Sequence, residues 1–278
     1  MVYMHENNLK EKIDQTKQDR TTVNGYKNLK PQLEDHLENV YKPFRSEIAK
    51  LTFDDKHRSD FDTAAKLIWN YYCDLRKFAK EYDVDERSKF SSSFLEEIST
   101  YLFGELKEIK DGKFDIYNKG IYAGLKIDNS LTVSVIPKDV DFCIGRKTEV
   151  IIGKKKQDII FPIVAVEVKT YLDATMFGEV QFTSDKIRAA APYVKSYVLM
   201  GYKEVKDDHI IAARACSSIN EMFVLKEKAI PKGELPGKND TDSFSAQVLF
   251  DYWQEVSNAV KYALQEVKIK TPGKLFAP

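Results

Sequence analysis

An α/β fold, with a mixed central sheet flanked by helices and a helical N-terminal region ahead of it, is what this sequence of 278 residues predicts. Three observations carry that reading. Residues 1 to about 88 place apolar and aromatic side chains at helical spacing amid mixed charge. Between about 113 and 169 the pattern changes to runs of branched and aromatic residues separated by Asp-Asn, Pro-Lys and Gly-Lys pairs, the composition of strands and turns. Finally, "IIFPIVAVEVK", "DATMFGEVQFTSDKIRAAA" and "SYVLMGY" read as strand, helix and strand, a crossover unit expected to be right-handed.

Taken in order, "FDTAAKLIWNYYCDLRKFAKEY" sets Phe61, Ala65, Ile68, Tyr72 and Leu75 on one helical stripe, which reads as core. In "DERSKFSSSFLEEISTYLFGELKEI", Ser93 and Glu96 have the spacing of a capping box for a new helix, so the chain divides near residue 88 into a helical region, 1–88, and a core, 89–278. The strands expected next are "IYAGLKI", "LTVSVI", "VDFCIG", "TEVIIG" and "IIFPIVAVEVK". On the crossover helix Met176, Val180, Thr183 and Ile187 keep helical spacing, and Asp173 is its natural N-cap. "GELPGKNDTDS" has loop composition and precedes a last helix containing "LFDYWQEVSNAVKYALQEV". No internal repeat is visible.

A chain that is 43% hydrophobic buries a sizeable core, and its 43 basic and 43 acidic residues cancel, so a polyanion would have to be met by a local patch. Cys73, Cys143 and Cys216 lack CxxC spacing, which argues against a disulfide framework or a zinc site and suits a reduced, cytoplasmic setting. The opening "MVYMHENNLKEKIDQTKQDR" has no signal-peptide core, and no apolar run is long enough for a bilayer. His5, His36, His57 and His209 form no ligand pattern, so any metal would be held by carboxylates, which points to magnesium.

One apolar run ends in opposite charges a residue apart. In "FPIVAVEVKTYL", Glu167 and Lys169 lie on the same face of a strand and emerge side by side. If the strand carrying Asp141, in "IPKDVDFCIG", is its antiparallel neighbour, two carboxylates and a lysine converge. Paired carboxylates hold magnesium, which polarises a phosphate and acidifies bound water, and a lysine can orient that water; phosphodiester hydrolysis is the natural reaction. Glu97 shares a helical face with Phe94, Ile98 and Tyr101 and turns partly inward, where a carboxylate needs a partner or a metal. Simpler readings stand beside these: Glu167 and Lys169 as a solvated pair, Asp141 as a turn acid, Glu97 as a surface charge.

The succession "VDFCIG", then "VAVEVK", resembles the D…(D/E)xK signature of the PD-(D/E)XK nuclease superfamily, with Asp141, Glu167 and Lys169 at its three positions. "SSFLEEISTYLF" and "VEVKTYLDATM" resemble type II restriction endonucleases, most closely the BbvCI-like group, whose enzymes pair two different subunits; the resemblance spans roughly residues 91 to 201. It implies a PD-(D/E)XK core and a magnesium-dependent, sequence-specific endonuclease for double-stranded DNA leaving 5′-phosphate and 3′-hydroxyl ends. Asp141 and Glu167 would be metal ligands, Lys169 would position or activate the water, and Glu97 would correspond to an acid on the helix before the sheet that helps hold the metal or its water. The signature's proline is Pro137, displaced from Asp141 by three intervening residues.

One site per chain cuts one strand, so a double-strand break needs a second subunit, identical or different. Two other readings remain open: a structure-selective repair or junction nuclease on the same core, and a DNA-binding module without turnover. "GKKKQD" reads as a hairpin tip or as lysines reaching phosphates. The loop with Lys56, His57 and Arg58 is a further candidate DNA contact, and Glu179 and Gln181 are candidates to face the site. The aromatic N-terminal helices are core packing or a unit for DNA recognition and dimerisation.

Overall fold

The structure, a computed structural model, describes residues 3–14, 29–84, 89–152, 155–230, 234–238 and 243–263. Gly153 and Lys154 of the expected hairpin tip, the division point at 85–88, parts of "GELPGKNDTDS" and the last residues of the terminal helical motif lie outside these.

The first helices are α1 (Met4–Asp14), α2 (Lys30–His36), a π turn over Leu37–Tyr41, α3 (Lys42–Ile48) and α4 (Arg58–Glu81). Pro31 falls in the first turn of α2, where a missing amide costs nothing, whereas Pro43 follows the π turn within one unbroken helical run. On α4 the stripe Phe61, Ala65, Ile68, Tyr72 and Leu75 is wholly buried, as its spacing predicts. Next come α5 (Lys89–Phe103) and the single turn α6 (Lys107–Lys110). Because α5 already begins at Lys89, Ser93 and Glu96 sit inside it and form no capping box; Ser93 Oγ instead lies 2.8 Å from His5 Nδ1.

Among the described residues seven strands follow: β1 (Asp115–Tyr117), β2 (Ile121–Ile127), β3 (Val133–Lys138), β4 (Phe142–Ile152), β5 (Lys155–Leu172), β6 (Lys195–Lys203) and β7 (Glu221–Val224). The central strand is β5. It pairs antiparallel with β4, which pairs antiparallel with β1, and on its other edge it runs parallel to β6, itself parallel to β7. The β2–β3 hairpin joins β5 at Ile160. The crossover from β5 to β6 is α7 (Ala174–Ala190), capped by Asp173, whose carboxylate accepts from the Met176 amide at 2.8 Å. The remaining helices are α8 (Asp207–Cys216) and α9 (Ala246–Ala263).

"VDFCIG" and "TEVIIG", expected as two strands, form the single β4. Its register shifts at Gly145, which approaches β5 so closely that a Cβ there would collide with the Phe161 carbonyl oxygen. Gly145, the last residue of the expected strand "VDFCIG", is a bulge inside a longer one. Strand alternation then sorts β5. Val164, Val166 and Val168 join Phe142 and Ile144 in a large cluster with α4, α5 and α9, extending to Leu9 and Leu33 of the N-terminal helices. Ala165 and Cys143 face the other way, against Ile187 of α7. Cys73 and Cys143 are buried, and neither is in a disulfide. No helix among the described residues is long and apolar enough to cross a membrane.

Candidate active site

The face of β5 that carries Ala165 also carries Glu167 and Lys169. Asp141 immediately precedes β4, and the pairing of Phe142 with Val166 sets it across from Glu167. Lys169 Nζ lies 3.0 Å from Asp141 Oδ2 and 3.0 Å from Glu167 Oε2, bridging the carboxylates. The Val168 amide donates to Asp141 Oδ2 at 2.8 Å, which fixes that carboxylate against β5 just past the end of the β4–β5 ladder. The three side chains are 13%, 14% and 25% exposed for Asp141, Glu167 and Lys169: desolvated, yet open to a ligand.

Burial, reinforced by the facing Asp141, raises the pKa of Glu167 above its ordinary value, even though the Lys169 ammonium pulls the other way. Burial alone would lower the pKa of Lys169. The Asp141 and Glu167 carboxylates outweigh it and hold the side chain as an ammonium.

These residues line a cleft of about 600 Å³. Its walls come from α1, through Met4, Asn7, Asn8 and Glu11, and from α7, through Glu179 and Phe182. Gln181, the other candidate on α7, is not part of the lining. Carboxylates of Glu11, Glu96, Asp139, Asp141, Glu167 and Glu179 face ammoniums of Lys119, Lys138 and Lys169, so the cleft is net acidic. A DNA strand would not approach it favourably without cations. The donors are carboxylates with no histidine or cysteine among the lining residues, which suits a hard cation such as magnesium and does not suit zinc. Asp141 and Glu167 stand as a bridged pair; among the described residues there is no ready-made group of three or more metal-ligating side chains.

The structure does not bring Glu97 to this pair, and the expectation of a metal-holding role there needs correcting. Glu97 is 1% exposed and turned away from the cleft: it accepts from the amides of His5 (2.8 Å) and Glu6 (3.3 Å) and from the hydroxyls of Tyr41 (2.6 Å) and Tyr101 (3.1 Å). The inward carboxylate found partners. One residue back, about 100° around the helix, Glu96 lines the cleft. The adjacent Glu-Glu in "SSFLEEIS" was the signal that could have found it, since only one of two neighbouring acids on a packed helix can face the sheet end. Asn7, Asn8, Lys119, Lys138 and Phe182 carried no sequence signal.

The remaining candidates sit elsewhere. Pro137 pairs with Tyr122 across the β2–β3 hairpin. Lys156 bonds Glu149 on the β4–β5 arm at 2.9 Å. Arg58 stacks over the Phe250 ring at 3.4 Å and donates to Gln247, and His57 bonds Asp54, so that loop is braced against α9.

The sequence profile of the Bpu10I restriction endonuclease family matches residues 87–233, just over half of the chain. Among solved structures, one described as the native BbvCI A2B2 tetramer at low resolution superposes with a TM-score of 0.74 at 16% identity, covering 96% of this chain and 100% of that one. This likeness extends the shared fold beyond the profile, through the N-terminal helices. No curated protein sequence matches. With the profile matched and the carboxylate–lysine pair at its centre, the chain belongs to the Bpu10I restriction endonuclease family, a family of type II site-specific deoxyribonucleases.

Proposed function

We propose that this chain is one catalytic subunit of a magnesium-dependent, sequence-specific restriction endonuclease that hydrolyses one strand of double-stranded DNA, leaving 5′-phosphate and 3′-hydroxyl ends. The observation that carries this reading is the pair of facing carboxylates, Asp141 and Glu167, bridged by Lys169 inside an acidic cleft. Divalent-metal dependence goes with the family; that the metal is magnesium, held by Asp141 and Glu167, with Glu96 in place of Glu97 on the same cleft to hold its water, is our reading.

When bound, the metal would polarise the scissile phosphate and acidify water. The protein's own share is positional. The Val168 amide keeps Asp141 aimed across the strand ends, and the opposed register of β4 and β5 keeps Glu167 facing it. Lys169, held as an ammonium, is a donor to the phosphate or to the attacking water and not a base.

One site per chain requires a second subunit for a double-strand break, and the A2B2 composition of the BbvCI structure supports a heterodimeric arrangement over a homodimer. In this reading residues 89–278 supply cleavage, residues 1–88 contribute to recognition or assembly, and the enzyme is cytoplasmic. The test is incubation of the purified chain with supercoiled plasmid and magnesium, beside Asp141→Asn and an EDTA control. Nicked circles from wild type alone are expected, with the variant and the chelated sample inactive. Equal cutting by Asp141→Asn would overturn the site.

A further inference from the structure

The first helix has two faces. Met4, Asn7, Asn8 and Glu11, at the i, i+3, i+4, i+7 spacing of one side, line the cleft, while His5 and Leu9 are buried in the core. Its N-terminus is pinned from outside. The residue before it is Tyr3, not one of the usual capping types, and the first amides go instead to the buried Glu97 carboxylate of α5. The His5 ring is held between Ser93 Oγ (2.8 Å) and Tyr71 Oη (2.6 Å), and Glu6 pairs with Arg45. Ser93 and Glu97 thus dock α1 on the same helix whose Glu96 faces the site.

What α1 presents to the cleft also matters. In a cavity rich in carboxylates, Asn7 and Asn8 are uncharged and carry amide donors, which suits them to accept a phosphodiester strand without adding repulsion. We infer that α1 is a substrate-binding wall of the active site, touching the scissile strand through Asn7 and Asn8, and that Glu97 is the positioning residue that holds this wall in place. This rests on the assignment of Asp141, Glu167 and Lys169 as the cleavage site.

The test measures plasmid affinity in calcium, where binding is read without turnover, and amide hydrogen exchange over residues 4–14. Asn7→Ala/Asn8→Ala, at positions outside the packed face, is expected to weaken binding about tenfold or more, the scale of losing at least one hydrogen bond to a charged group, with α1 still protected. Glu97→Gln is expected to weaken binding similarly and to lose the protection of α1. In magnesium, both should raise KM with kcat within about threefold of wild type, because neither touches the reacting phosphate. Wild-type affinity in the double variant overturns the inference, as does full α1 protection together with wild-type affinity in Glu97→Gln. Asp141→Asn separates the two readings: if it cuts like wild type, the site assignment has failed, whereas the α1 affinities are judged on binding alone.

Discussion

His36, buried against Phe78 and Phe90 with Nε2 3.2 Å from the Tyr71 hydroxyl, should make the N-terminal helices acid-labile. Burial lowers its pKa from 6.5 to about 4, against the opposing pull of Asp74 and Asp35. A lowered folded-state pKa means that the unfolded chain binds the proton first. The stability tied to the neutral ring is therefore complete above about pH 6.5 and is lost as pH falls toward about 4. At 1.36 kcal/mol per unit, that window corresponds to about 3 kcal/mol, a large share of a typical domain's stability. His5, fully buried, is shifted the same way by burial and by His36, and adds to the acid limb. Glu97 works in the opposite sense, since burial raises its pKa and acid relieves a cost. The perturbation is His36→Gln, which keeps a polar side chain and removes the titration. Urea unfolding of wild type and variant from about pH 7 to about pH 4.5 should give a dependence shallower in the variant by about 1.4 kcal/mol per pH unit. Parallel curves would refute the burial argument. The plasmid-nicking activity should fall along the same limb, because His5 and Tyr71 also secure α1 beside the cleft.

The remaining expectations are quickly checked. Glu96→Gln should lower kcat about a hundredfold or more with little change in plasmid affinity, the reverse of the pattern expected for Glu97→Gln; single-turnover nicking separates them. Lys169→Met should abolish nicking and, by removing the ammonium that pulls it down, raise the pKa of Glu167 further, read by a carboxylate titration in NMR. Gly145→Ala forces a methyl onto the Phe161 carbonyl oxygen and should cost about 1–3 kcal/mol, measured by urea unfolding; unchanged stability would mean the bulge is not needed.

Sequence and fold met where the physics is local. Alternation along β5 was enough to place Glu167 and Lys169 on one side, and helical spacing was enough for the α4 stripe and for Asp173 as a cap. It failed where a residue's local look and its tertiary use part company. Gly145 reads as a strand end because glycine usually is one, and only the closeness of Phe161 shows it to be a bulge. β7 and α8 were missed: β7 is a four-residue strand stabilised by its pairing with β6, and α8 has little amphipathic pattern to announce it.

By itself, then, the sequence determined the α/β class, the paired side chains on one face of one strand and the kind of chemistry their oxygens and ammonium suit. Those follow from periodicities spanning a few residues, which the order of the residues fixes before the chain folds. Only the tertiary structure decided that Asp141 faces Glu167, that Glu96 and not Glu97 looks into the cleft, and that a helix from the start of the chain lines it. Each depends on register and helix rotation between segments distant in sequence, and those are set by which packing buries the most apolar surface while leaving no inward carboxylate without donors.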